Sequence, residues 1–147
     1  MNLDEIYQEV ILDHFRHPRC HGCLSPAPYA AQLFNPLCGD QLSLTLDSNG
    51  ELITDIAFSG HGCSISQASA SMMTDLVKGR SITEARALCA SFKAMMRGDV
   101  EGEDLPELGD ASALQGVRKF SARVKCAVLA WEALEKCLEQ VGSSKVS

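Results

Sequence analysis

Between Leu42 and Phe58 the chain writes a hairpin in its own side chains. Leu42, Leu44 and Leu46 alternate with Ser43, Thr45 and Asp47, the period-two pattern of a half-buried strand. Ser48-Asn49-Gly50 then supplies a turn, because Asn-Gly accepts the positive φ that a tight reversal needs. Leu52 to Phe58 returns as the partner strand. Tyr29 to Phe34 is a weaker candidate for a third strand. An antiparallel pair needs something apolar on its inner face, and the rest of the sequence must provide it.

Helical periodicity provides it. Leu3, Ile6, Tyr7, Val10, Ile11 and Phe15 share one stripe, so residues 4–16 form an amphipathic helix that ends at Pro18. Residues 18–28 are rich in proline and read as loop. Residues 63–77 read as a helix closing at Gly79. Ser81-Ile82-Thr83-Glu84 has the form of a capping box and opens a helix to Arg97, with Gly98 as its stop. Residues 99–110 are acidic, carry Pro106, Gly102 and Gly109, and read as an exposed loop. A short helix over 111–120 and a long one from Ser121 to about Gln140 follow. Strands early and helices late predict an α+β fold: a small antiparallel sheet of about three strands with helices packed on one face. Residues 1–141 are expected to form one domain, and 142–147 a flexible tail.

The net charge of −6 argues against nucleic acid and anionic membrane as partners, and no apolar run has the ~20 residues of a membrane span. The first residues are acidic and helical, so no signal peptide is visible and a cytoplasmic location is expected. Seven cysteines in such a chain point to metal or thiol chemistry, with some serving as small buried hydrophobes.

Three of the seven stand out by their surroundings. Cys38 lies in Pro36-Leu37-Cys38-Gly39-Asp40, where the glycine lets Cys38 and Asp40 point at one centre. Cys63 falls at a helix N-terminus, which favours thiolate over thiol. Cys126 has Arg123 and Lys125 beside it, and positive neighbours act the same way. Three thiolates and a carboxylate suit a tetrahedral Zn²⁺ site; thiolates equally suit an iron–sulfur species, and spacing alone also allows three unrelated buried thiols. Cys137 shares the small-residue face of Cys126 but sits eleven positions on, about 16 Å along the helix, too far to share a metal. With Cys89 it reads as structural. Cys20-His21-Gly22-Cys23 is either an incidental loop pair or an accessory metal or redox site. His14, His17 and His21 read as solvated, His61 as adjacent to the site or, less readily, a ligand. Met72-Met73 and Met95-Met96 read as core.

At these segments the chain resembles the iron–sulfur assembly proteins of the NifU/IscU family. The matching pieces are the opening helix from Tyr7 to Pro18, then Asn35 to Asp40, then Gly62 to Ser66 with Ala68 to Ser71, and finally Arg123 to Trp131. They run in the family's order over nearly the whole chain. Lys125 stands where classical scaffold members carry histidine, and a Leu-Pro-Pro-Val-Lys motif upstream is lacking. Gly98 to Gly116 fits the insertion of the SufU branch. The resemblance implies Zn²⁺ held by Cys38, Asp40, Cys63 and Cys126, or alternatively a [2Fe–2S] cluster on the same residues. It implies a zinc-dependent sulfurtransferase with no independent turnover. Its partners would be a pyridoxal-phosphate cysteine desulfurase of the SufS kind and a downstream iron–sulfur scaffold. Cys38 would be the persulfide acceptor. Cys20, Cys23 and His61 depart from the family's pattern.

Overall fold

The computed structural model describes residues 2–37 and 39–146, with side chains as far as residue 143. Helix α1 (Leu3–Arg16) starts at Asn2, whose side chain accepts the Glu5 N–H, a cap for one of the helix's free donors. Strands β1 (Tyr29–Asn35), β2 (Asp40–Ser48) and β3 (Ile53–His61) form one antiparallel sheet in the order β1-β2-β3. Helices α2 (Ser64–Val77), α3 (Ile82–Arg97) and α4 (Ser121–Val146) complete the α+β architecture.

The Leu42/Leu44/Leu46 alternation is the sheet's buried face, and Ile53, Ile56 and Phe58 join it from β3. The Asn49 carboxamide accepts the N–H groups of Glu51 and Leu52, and Gly50 takes a φ of 96°, so the expected turn chemistry holds the hairpin. The third strand is a full seven residues, paired from Tyr29↔Leu46 to Asn35↔Asp40. Helix α4 lies against β1 and β2 on one side and α2 and α3 on the other. Its Trp131 stacks on Phe92 with ring centroids 4.3 Å apart. At the seam with α2 the Trp131 indole N–H donates to Ser69 Oγ at 3.1 Å, and Ser69 donates to the Ala127 carbonyl at 2.5 Å. These bonds fix the register of α2 against α4. Met72, Met73, Met95 and Met96 are buried core, as their helical spacing predicts.

Residues 99–110 depart from the loop expected of them. Gly102–Asp104 and Pro106–Val117 form 3₁₀ segments, the second kinked at Gly109, and Leu108, Ala111 and Leu114 are buried. The missed signal is a period of three. On either side of the kink the apolar residues recur every third position, Leu105 and Leu108 before it and Ala111, Leu114 and Val117 after it, while Glu107 and Asp110 between them are exposed. Arg118 clamps the segment's start by binding both Glu101 carboxylate oxygens, at 2.7 and 2.6 Å. Helix α4 also runs on to Val146, past the expected end at about Gln140.

The histidine reading needs one correction. His14 is wholly buried between α1, α2 and the 3₁₀ segment, with Nδ1 at 2.8 Å from Ser71 Oγ and Nε2 at 2.9 Å from Asp110 Oδ2. Ser71 Oγ also accepts the Arg19 N–H at 2.8 Å, and the Asp110 carboxylate accepts from His14 Nε2–H. The helical stripe of α1 was read from its apolar residues, and a histidine in that stripe with two polar partners at hand is as buried as they are.

Each outer edge of the sheet is met in part by other segments of the chain. Along β3, the Phe58 N–H donates to the Cys20 carbonyl at 2.9 Å and the Gly22 N–H to the Phe58 carbonyl at 2.7 Å. Along β1, the Gln140 side chain accepts from the Ala30 N–H at 3.1 Å and donates to its carbonyl at 2.7 Å. No helix among the described residues is long and apolar enough to cross a membrane.

Candidate metal centre

The site is built at one end of the sheet, where three connections meet. The pairing Asn35↔Asp40 closes β1 onto β2 through a short turn, in which the Gly39 N–H donates to the Asn35 carbonyl at 2.8 Å. Gln41↔His61 and Leu42↔Gly60 bring the end of β3 beside the start of β2, so α2 begins next to Asp40. Helix α4 delivers Cys126 from its first turns.

Asp40, Cys63 and Cys126 come together there, with one ligand atom of each within 4.8 Å of the others. Asp40 and Cys126 are buried; Cys63 is half-buried. The two oxygens of Asp40 have different work. Oδ1 accepts the Cys63 backbone N–H at 2.8 Å and the Ser66 hydroxyl at 3.2 Å. Oδ2 faces the Cys63 sulfur at 3.9 Å. One oxygen is thus tied to the start of α2, and the other is presented to the thiols. Cys63 is the N-cap of α2 but makes no capping bond with its side chain, which leaves the sulfur directed at the carboxylate. Gly62 permits this approach: its φ is +153°, and a Cβ there would collide with Asp40 Oδ1.

Asn35 and Arg123 complete the surroundings. Asn35 accepts the Leu37 N–H with Oδ1 and lies 3.8 Å from Cys126 Sγ with Nδ2, so one side chain both shapes the turn and touches the thiol. Arg123 sits one helical turn before Cys126 on α4. Its electrostatic interaction with Cys63, foremost, and with Cys126 pushes its guanidinium above its ordinary value. Lys125 lines a shallow pocket with Phe34, Asn35, Val128, Leu129 and Glu132.

The donor chemistry fits a metal ion. Two thiols and a carboxylate converge, the carboxylate has an oxygen to spare, and a borderline-soft cation such as Zn²⁺ takes S and O donors together. Cys38, the remaining expected ligand, lies outside the described residues. His61 is exposed and stands outside the group, and so do Cys20 and Cys23. Cys89 and Cys137 are buried, and burial pushes each thiol up to about 12. The sequence reading missed Asn35 as a thiol contact and Ser66 as the second donor to Asp40. Only their place within the cysteine segments hinted at either.

Comparison with known proteins agrees with this geometry. The family model described as the NifU-like N terminal domain matches residues 6–141. The zinc-dependent sulfurtransferase SufU of Bacillus subtilis is 49% identical over 92% of this chain and 90% of its own length. The iron–sulfur cluster assembly scaffold protein IscU of Streptococcus pyogenes is 46% identical over 97% of this chain and 89% of its own. Among solved structures, the N-terminal part of a nitrogen-fixing NifU-like protein from Brucella abortus superposes with a TM-score of 0.84 at 26% identity. That match covers 95% of this chain and 96% of the other.

Proposed function

The chain belongs to the NifU-like N-terminal domain family, and from that membership we propose that it works in iron–sulfur cluster assembly as a zinc-dependent sulfur carrier. Its sulfur comes from the persulfide of a cysteine desulfurase and passes to a downstream scaffold. The observation that carries this reading is the Asp40 carboxylate, anchored through one oxygen and aimed at Cys63 and Cys126 with the other. Such a fixed set of S and O donors is suited to holding a redox-inert ion.

Asp40, Cys63 and Cys126 would hold the zinc, with Cys38 as the fourth ligand and the sulfur acceptor. Bound zinc keeps thiols deprotonated at neutral pH. Transfer itself is thiol exchange. The Cys38 thiolate attacks the outer sulfur of the donor persulfide. A new S–S bond forms on Cys38 while the donor's S–S bond breaks. The donor cysteine leaves as thiolate, and the outer sulfur keeps its proton. Leu37, 71% exposed beside Cys38, and Phe34, 61% exposed on β1, give the approaching partner an apolar rim.

The test is mass spectrometry of wild type and Cys38→Ala after incubation with desulfurase and cysteine. One added sulfur on Cys38, absent from the variant, is expected. A persulfide trapped on Cys126 instead would sink the assignment. The similarity to the streptococcal scaffold supports a second reading, in which the same residues carry a [2Fe–2S] cluster as cargo. Protein purified without added metal separates the two: stoichiometric zinc supports the carrier, a brown chromophore the scaffold.

A further inference from the structure

Strand β1 lies at an edge of the sheet, and its outer side is only partly used. Backbone groups along such a strand alternate: one residue bonds to β2, and the next points its N–H and carbonyl outward. Ala30 marks the outward set, because Gln140 takes both its N–H and its carbonyl. The pairing from Tyr29↔Leu46 to Asn35↔Asp40 runs without a break, so Gln32 and Phe34 belong to the same set. Both are exposed, and neither makes a backbone hydrogen bond on that outer side among the described residues. Their N–H and carbonyl groups stand open between the Gln140 cap and the turn that leads to Cys38.

Another extended backbone matches such a row of alternating donors and acceptors. The setting narrows its source. A second copy of this chain fits poorly, since each copy carries a net charge of −6. Its own β1 would offer only the same short stretch, a pairing far below the ~1,200 Å² that a stable interface buries. A partner that docks over the cysteine end has no such limit, because the open stretch continues into the exposed Leu37 and then Cys38. Helix α4 adds selectivity. Side chains of an added strand alternate between faces, and on the α4 face one of them meets a shallow pocket of about 260 Å³. Val128 and Leu129 give that pocket apolar walls, with the exposed Lys125 and Glu132 at its rim, so it suits a single apolar side chain. We propose that an extended segment of the sulfur-donating desulfurase pairs with β1 beside Gln32 and Phe34, as a fourth strand, and so sets its persulfide in register with Cys38. This rests on reading the chain as a sulfur carrier.

Hydrogen exchange on the full-length protein, read amide by amide with and without desulfurase, tests it. In the free protein Gln32 and Phe34 should exchange fast, beside slow Ala31 and Leu33, whose amides face β2. Desulfurase should slow the amides of Gln32 and Phe34 by about tenfold or more. Unchanged exchange at a desulfurase concentration that supports transfer would overturn the proposal. Slowing that arises without desulfurase, as the protein alone is concentrated, would overturn it in favour of a second copy. A pair of variants gives an independent check. Gln32→Pro removes an outward N–H, a change that edge strands tolerate, and should raise the desulfurase concentration for half-maximal transfer about tenfold. Gln32→Ala keeps the backbone group and should stay within about twofold of wild type. Equal behaviour of the two variants would count against strand pairing. Should Gln32→Pro melt well below Gln32→Ala, the wild-type exchange decides alone. Desulfurase that turns over cysteine yet leaves no sulfur on wild type would sink the sulfur-carrier reading. That result is distinct from transfer that proceeds while both amides still exchange fast.

Discussion

Cys126 and Cys137 lie on the same helix, eleven residues apart, and both have no exposed surface. Their chemistry diverges through their company. Cys126 meets Asp40, Cys63 and Asn35. Cys137 belongs to the apolar cluster beneath the sheet, and burial alone pushes its thiol up to about 12. Burial therefore does not decide whether a cysteine is inert. What decides is whether the buried sulfur has polar and charged partners that stabilise its deprotonated or metal-bound form.

The largest contrast should come from deleting each sulfur. Cys126→Ala or Cys63→Ala is expected to abolish stoichiometric zinc and lower sulfur transfer by about 100-fold or more, while Cys137→Ala leaves both within about twofold. Elemental analysis beside a desulfurase assay reads this, and zinc retained by Cys126→Ala would break the comparison. Next in size is metal removal. Chelation should lower the Tm by about 10 °C, since a metal bound only by the folded site adds several kcal/mol. An unchanged Tm would mean that the cluster stands without metal.

Cys137→Ser should cost about 1–3 kcal/mol in urea unfolding, the penalty for a hydroxyl with no partner in an apolar site. Zinc binding should not change. The pH dependence is smaller. Cys89 and Cys137 have native pKa values raised from 9.0 to about 12, so the folded state holds these protons more tightly than the unfolded chain does. Their contribution is complete below about pH 9 and is lost as pH rises towards 12. A Cys89→Ala/Cys137→Ala double variant should show a flatter stability profile over that window, read by denaturant midpoints at each pH. The smallest effect belongs to Cys23, which is exposed. Cys23→Ser should alter stability by no more than about 0.5 kcal/mol and leave zinc content unchanged.

Much of this was open to reading from the chain alone, for definite reasons. The Leu42–Leu46 alternation and the Asn49-Gly50 turn are local signals, and local signals survive folding. Asp40, Cys63 and Cys126 could be selected because each stood in a segment of unusual chemistry, and the family resemblance joined them. What stayed hidden was set by packing. A 3₁₀ segment repeats every third residue, and beside the acidic side chains of residues 99–110 Leu105, Leu108 and Leu114 look like scattered hydrophobes. His14 was assigned to solvent because only its neighbours along the chain were visible, and Ser71 and Asp110 reach it from elsewhere.

The Gln140 carboxamide that closes on Ala30 has a consequence beyond the fold. It offers one donor and one acceptor to a strand residue, the same pair that another strand would offer. Together with the Cys20–Gly22 backbone on the opposite side, it occupies hydrogen-bonding groups through which two copies would otherwise zip edge to edge. A three-stranded sheet this small has edges for two of its three strands. Covering part of each from within leaves less free strand edge for such pairing.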